Sequence, residues 1–134
     1  NPTNPSRAAM RPPAAAHTKK HRLREPASAL GMNPMLKRNL DLFRHNVERI
    51  LNGDTWTLSF EDTYRAGYNL CMAGEADVLC DLMEIAVKHL RRMSPDMAKA
   101  TRQMLHDVNL FCESNWTKRL KRAGVNDMGR LSLP

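Results

Sequence analysis

Residues 34–52 carry apolar side chains at Leu36, Leu40, Phe43, Val47 and Ile50, at intervals of four, three, four and three. That spacing keeps one stripe of a 3.6-residue helix apolar and predicts an amphipathic helix. Asn33 is placed to cap it, Pro34 suits its first position, and Gly53 ends it. After a short connector, 54–58, Ser59 caps a second helix that runs to about Ala73, where Gly74 breaks it. A third helix is expected over about 75–93, with Val78, Leu82, Ile85, His89 and Leu90 sharing a face. Ser94-Pro95-Asp96 announces a fourth, with the stripe Met97, Thr101, Met104, Val108 and Phe111. Its periodicity continues through Trp116 and Leu120 to Gly124. The pattern predicts an all-α fold, an antiparallel bundle of about four helices over 34–124.

The flanks read differently. Residues 1–33 hold five of the eight prolines and no apolar stripe. They are expected to be a disordered Pro/Arg-rich basic tail. Val125–Pro134 is expected to be a loose tail. The chain begins with Asn1 and is read as a fragment, a processed product or a sequence lacking its start.

Charge changes the picture only when it is divided. The chain carries +7, but residues 1–33 hold six Lys/Arg against one acid, and residues 34–134 hold fifteen against thirteen. A nearly balanced helical region argues against a broad phosphate-binding face. Cys71, Cys80 and Cys112 are odd in number and lie in apolar context, which predicts buried thiols rather than a disulfide framework. The expected setting is cytoplasmic or nuclear.

No glycine-rich phosphate loop, His-Glu-x-x-His, Cys-x-x-Cys or Gly-x-Ser-x-Gly occurs. Glu61 and Asp62 point about 100° apart on a helix and form no carboxylate dyad. His45, His89 and His106 fall on three different helices. Neither catalysis, a metal nor a cofactor is expected.

The most distinctive stretch is SFEDTYRAGY, residues 59–68. Phe60, Tyr64 and Tyr68 recur every four residues, in a chain with seven aromatics in all. They form one helical ridge, while Thr63, Ala66, Gly67, Leu70 and Cys71 form a second, small and apolar face. Periodicity by itself leans toward the aromatic ridge as the core face. Two of the three rings are tyrosines, however, which keep a polar tip and are enriched at interfaces.

The run Leu58-Ser59-Phe60-Glu61-Asp62-Thr63-Tyr64-Arg65-Ala66-Gly67-Tyr68 resembles the second helix of the cullin N-terminal domain. Cullins read close to Leu-Ser-Phe-Glu-Glu-Leu-Tyr-Arg-Asn-Ala-Tyr there. The match is gap-free at Leu58, Ser59, Phe60, Glu61, Tyr64, Arg65 and Tyr68, with Asp62 a like-charged replacement. A preceding amphipathic helix and the following Lys88-His89-Leu90 step agree with it. The resemblance covers roughly 35–120 and weakens after Met93.

It implies a cullin-type helical repeat, normally five helices, whose second and fifth helices form the adaptor surface. In the branch that docks BTB-domain adaptors, Ser59, Phe60, Glu61, Asp62, Tyr64, Arg65 and Tyr68 would face the adaptor. Thr63 departs from the usual leucine, and Gly67 from the usual alanine at about 1 kcal/mol of helix propensity. Trp116 matches a tryptophan ahead of the family's fifth helix. The Asp-Arg-Tyr signature of that helix is missing, and Asn126-Asp127-Met128-Gly129-Arg130 substitutes poorly. The chain also stops short of the C-terminal part that would bind a RING protein, so no RING partner is expected.

Two functions follow as expectations. The first is a non-enzymatic, cullin-like scaffold segment of a ubiquitin ligase, binding a BTB-type adaptor through helix 59–73. The alternative is a small basic helical protein that binds nucleic acid. It would use Lys19, Lys20, Arg22 and Arg24 with the cluster Lys118, Arg119, Lys121 and Arg122.

Overall fold

A computed structural model describes residues 20–110. Among them are four α-helices and no strand: α1 (Pro34–Leu51), α2 (Phe60–Met72), α3 (Ala76–Lys88) and α4 (Pro95–Val108). The all-α expectation therefore holds over the described residues. Each expected cap is present. Asn33 accepts from the Met35 N–H at 2.8 Å, Ser59 from Asp62 at 3.1 Å and Ser94 from Met97 at 3.3 Å. Each satisfies an N–H that the helix itself leaves without a partner, an effect worth about 1 kcal/mol. Gly53 and Gly74 leave their helices at φ 72° and 82°, a region that only glycine enters without strain.

α1 buries Leu40, Phe43, Val47 and Ile50, four of the five positions in its expected stripe, and half-buries Leu36. α3 is the most enclosed element. Val78, Leu79, Cys80, Leu82, Met83, Ala86 and Val87 are all buried, so it is covered on more than one side. It packs on α1 and α2 and on a short 3₁₀ turn at Ala27–Ala29. Its end tightens into a second 3₁₀ turn, His89–Arg92, that packs on α4.

α4 differs from expectation in two ways. Its buried stripe is Ala98, Thr101, Leu105 and Val108, while Met97 is 47% exposed. The helix also ends at Val108 instead of continuing. Asn109 departs from helical geometry at φ −130°, and its N–H bonds the His106 carbonyl three residues back. Phe111, Cys112, Trp116, Leu120 and the cluster Lys118, Arg119, Lys121 and Arg122 lie outside the described residues, as does Lys19.

The expectation of disorder over 1–33 is corrected for residues 20–33. This segment runs along α1 with Leu23 only 2% exposed. A polar row on α1 and its C-cap, Asn52, holds it. The Asn52 amide accepts from the His21 N–H at 2.7 Å and donates to the His21 carbonyl at 3.0 Å. Two residues on, the Leu23 N–H donates to Glu48 Oε2 at 2.8 Å, and Arg44 donates to the Leu23 carbonyl at 3.1 Å. The α1 side chains thus supply the donors and acceptors that a neighbouring strand would supply. Further along, Lys37 pairs with Glu25 at 3.0 Å, and Ser28 bonds Asp81 of α3.

The segment is also tied through its side chain. His21 Nδ1 lies 2.8 Å from His89 Nδ1, the rings meeting edge to face at 73°. One ring must donate its hydrogen and the other accept, so the contact excludes a doubly protonated pair. Burial, and then the Arg92 charge, lower the pKa of His21. Burial, then His21 and Arg92, lower that of His89, with Glu48 opposing.

A histidine held below its unfolded value of about 6.5 binds fewer protons folded than unfolded. Its contribution to stability is therefore full above that value and is lost as pH falls through the folded one. Both imidazoles should titrate below pH 6.5 by NMR. Protection of the His21 and Leu23 amides against hydrogen exchange should fall as pH is lowered below about 6.5, and less so in His89→Asn.

Candidate functional site: the outward face of the second helix

α2 has two faces of different size. Thr63, Ala66, Gly67 and Leu70 are buried, Thr63 and Leu70 completely. Small side chains let two helix backbones approach closely, and this face lies chiefly against α1. The helices run antiparallel, since Asn46 meets Thr63 while Asn39 meets Asn69 at the other end.

The close contact is polar at its centre. Asn46 of α1 is 6% exposed, and its amide donates to Thr63 Oγ1 at 2.8 Å. The Thr63 hydroxyl in turn donates to the Ser59 carbonyl at 2.8 Å. Thr63, which departs from the cullin pattern, therefore has a partner on α1 suited to a hydroxyl. Leucine there would leave the buried Asn46 amide without that acceptor.

Burying the small face turns the aromatic ridge outward. Phe60 is 37% exposed, Tyr64 39% and Tyr68 46%. The lean of periodicity toward an aromatic core face is thereby corrected. The core had room for a narrow helix face, and α2 offers one without its rings. Met72, 69% exposed, continues the four-residue spacing by one further step. The ridge is thus four side chains long, and the sequence reading stopped one short of it.

The polar residues of the motif have distinct positions. Ser59 is exposed and acts as the cap. Glu61 and Asp62 are exposed in the first turn, where they complement the positive end of the helix. Arg65 pairs with Glu61 at 2.8 Å across one turn. Both side chains are well exposed, so the pair adds little stability. Its effect is to hold an arginine and a carboxylate beside the rings. All seven motif residues are exposed on this one helix. The face is aromatic in relief and polar at one end, the composition of a protein-docking surface.

Of the residues in the nucleic-acid alternative, Lys20, Arg22 and Arg24 are exposed on the extended segment rather than on a loose tail. The row Arg44, Glu48 and Asn52 that holds this segment was not singled out from sequence. Its four-residue spacing on one helix face is the signal that could have marked it.

The chain is 24% identical over 112 residues to Cullin-3 of Dictyostelium discoideum, an alignment covering 69% of this chain and 15% of that protein. It therefore corresponds to a small part of that relative's length. No family model matches the chain, and no solved structure matches it. The similarity supports a cullin-like relationship.

The Asn46–Thr63 contact gives a stability prediction. Thr63→Val should destabilise the fold by about 1–3 kcal/mol in chemical denaturation, because a buried amide loses its acceptor. Adding Asn46→Leu should recover part of that loss. Simple additivity of the two changes would show that the residues do not act as a pair.

Proposed function

We propose that this chain is a non-catalytic, cullin-like scaffold segment that docks a substrate adaptor of the BTB type through the outward face of α2. One observation carries the reading. The segment that resembles the cullin adaptor helix buries its small face and leaves Phe60, Tyr64 and Tyr68 between 37% and 46% exposed. An aromatic ridge of this length is costly to leave in water and gains most when a partner covers it.

Phe60, Tyr64 and Tyr68 act as anchors that enter pockets of the adaptor. Ser59, Glu61, Asp62 and Arg65 supply the polar rim that fixes register and excludes water from the edge. The similarity to Cullin-3 supports the cullin-like scaffold part of this reading. Recruitment to a ubiquitin ligase is part of this proposal. No helix among the described residues is long and apolar enough to cross a membrane.

The test is capture of BTB-domain adaptors by the full chain, with Tyr64→Ala alongside. Tyr64 is already 39% exposed, so the substitution should change stability by about 1 kcal/mol or less. Adaptor binding should weaken by at least about thirty-fold, the loss of one interface anchor. Unchanged binding in a folded Tyr64→Ala protein would remove the ridge from the interface. A collapse of stability would return the ring to a structural role.

A further inference from the structure

The extended segment places its side chains alternately. His21 turns to His89 and Leu23 enters the core. Lys20, Arg22 and Arg24 are left together on the outward side, all exposed. The backbone between them is fixed by Asn52, Glu48 and Arg44, so this row of cations is ordered before any ligand arrives. Arg92 approaches the same place from the His89–Arg92 turn. With His21, His89 and Ile85, these four cations line a hollow of about 770 Å³.

The charge in this hollow is not balanced from within. No acid lines it. Glu25 is engaged by Lys37, and Glu48 by the Leu23 N–H and Arg44. None of Lys20, Arg22, Arg24 and Arg92 forms an ion pair with a described residue. The Arg92 charge reaches both imidazoles, lowering their pKa values after burial has done so.

We propose that this hollow is a binding site for a compact, multivalent phosphate anion, gripped by Lys20, Arg22, Arg24 and Arg92. Guanidinium groups match phosphate oxygens in a two-pronged geometry, and three of the four cations are arginines. The volume lies within the range of small-molecule sites. Duplex nucleic acid is the poorer fit. A duplex binder neutralises about 6–10 phosphates along an extended face, and this is a confined hollow with four cations. The site contains no α2 residue, so it stands or falls apart from the docking of an adaptor.

The test is calorimetric titration of the full chain with tripolyphosphate at low salt, with NMR of the histidine rings as a second reading. Saturable binding is expected, with the His21 and His89 resonances shifting. Arg92→Gln and Arg22→Gln should each weaken it about ten-fold. Both side chains are exposed, so circular dichroism should be unchanged in the variants. No saturable heat, or histidine resonances that stay in place, would overturn the site. So would binding undiminished by Arg92→Gln, or a single-stranded oligonucleotide that binds more tightly than tripolyphosphate and ignores both variants.

Discussion

The close approach of α1 and α2 is the constraint on which the rest of the molecule depends. It is made possible by a face of small residues, Ala66, Gly67 and Thr63, with Leu70 behind them. It is fixed in register by one buried polar contact, Asn46 to Thr63. A buried amide without a partner is costly, so sliding one helix along the other breaks the arrangement that satisfies both side chains. An α-helix has two broad sides, and committing the narrow one to the core commits the other to solvent. The outward aromatic ridge follows from the packing of the opposite face.

A second kind of attachment operates at the N-terminal segment. It buries Leu23, Pro26 and Ala29 and packs Met32 against the core, and over His21–Leu23 its backbone is held by polar side chains. Arg44 and Glu48 of α1 and its C-cap Asn52 satisfy the backbone of alternate residues, and the His21–His89 contact adds a lock sensitive to protonation. Such an attachment orders a short stretch without demanding a large core. It also places the basic side chains of the segment on one side, which turns a scattered run of cations into a lined hollow. The segment thus shares the apolar core of the helical bundle and adds directional hydrogen bonds that fix its backbone.

The two surfaces differ in what they offer a partner. The α2 face has rings in relief and a short polar end, suited to burial under another protein. The segment and the His89–Arg92 turn offer concentrated positive charge around a concave space, suited to a small anion. Thr63 stands where the segment departs from the cullin pattern it resembles. As a departure from the cullin pattern it looks like a weakening of the helix. In the fold it is matched by Asn46, and the two side chains form a polar pair across the interface.

Much of this was determined by the sequence alone. Caps at Asn33, Ser59 and Ser94, and the glycine stops at Gly53 and Gly74, are local chemistry. They act within a few residues and are legible from spacing. The α1 stripe was legible for the same reason. Three things were decided only by tertiary structure. The buried face of α2 depended on which width of helix α1 could accept, and periodicity, which identifies two faces there, leaned toward the other one. The ordering of residues 20–33 depended on side chains far along the chain, His21 meeting His89 across 68 positions. No local pattern in a proline-rich stretch can register such a partner. The end of α4 at Val108 was set by the turn at Asn109, where apolar periodicity continued but the backbone did not. Sequence patterns record what each segment can bury. Which segment is buried, and against what, is settled by the neighbours the fold brings to it.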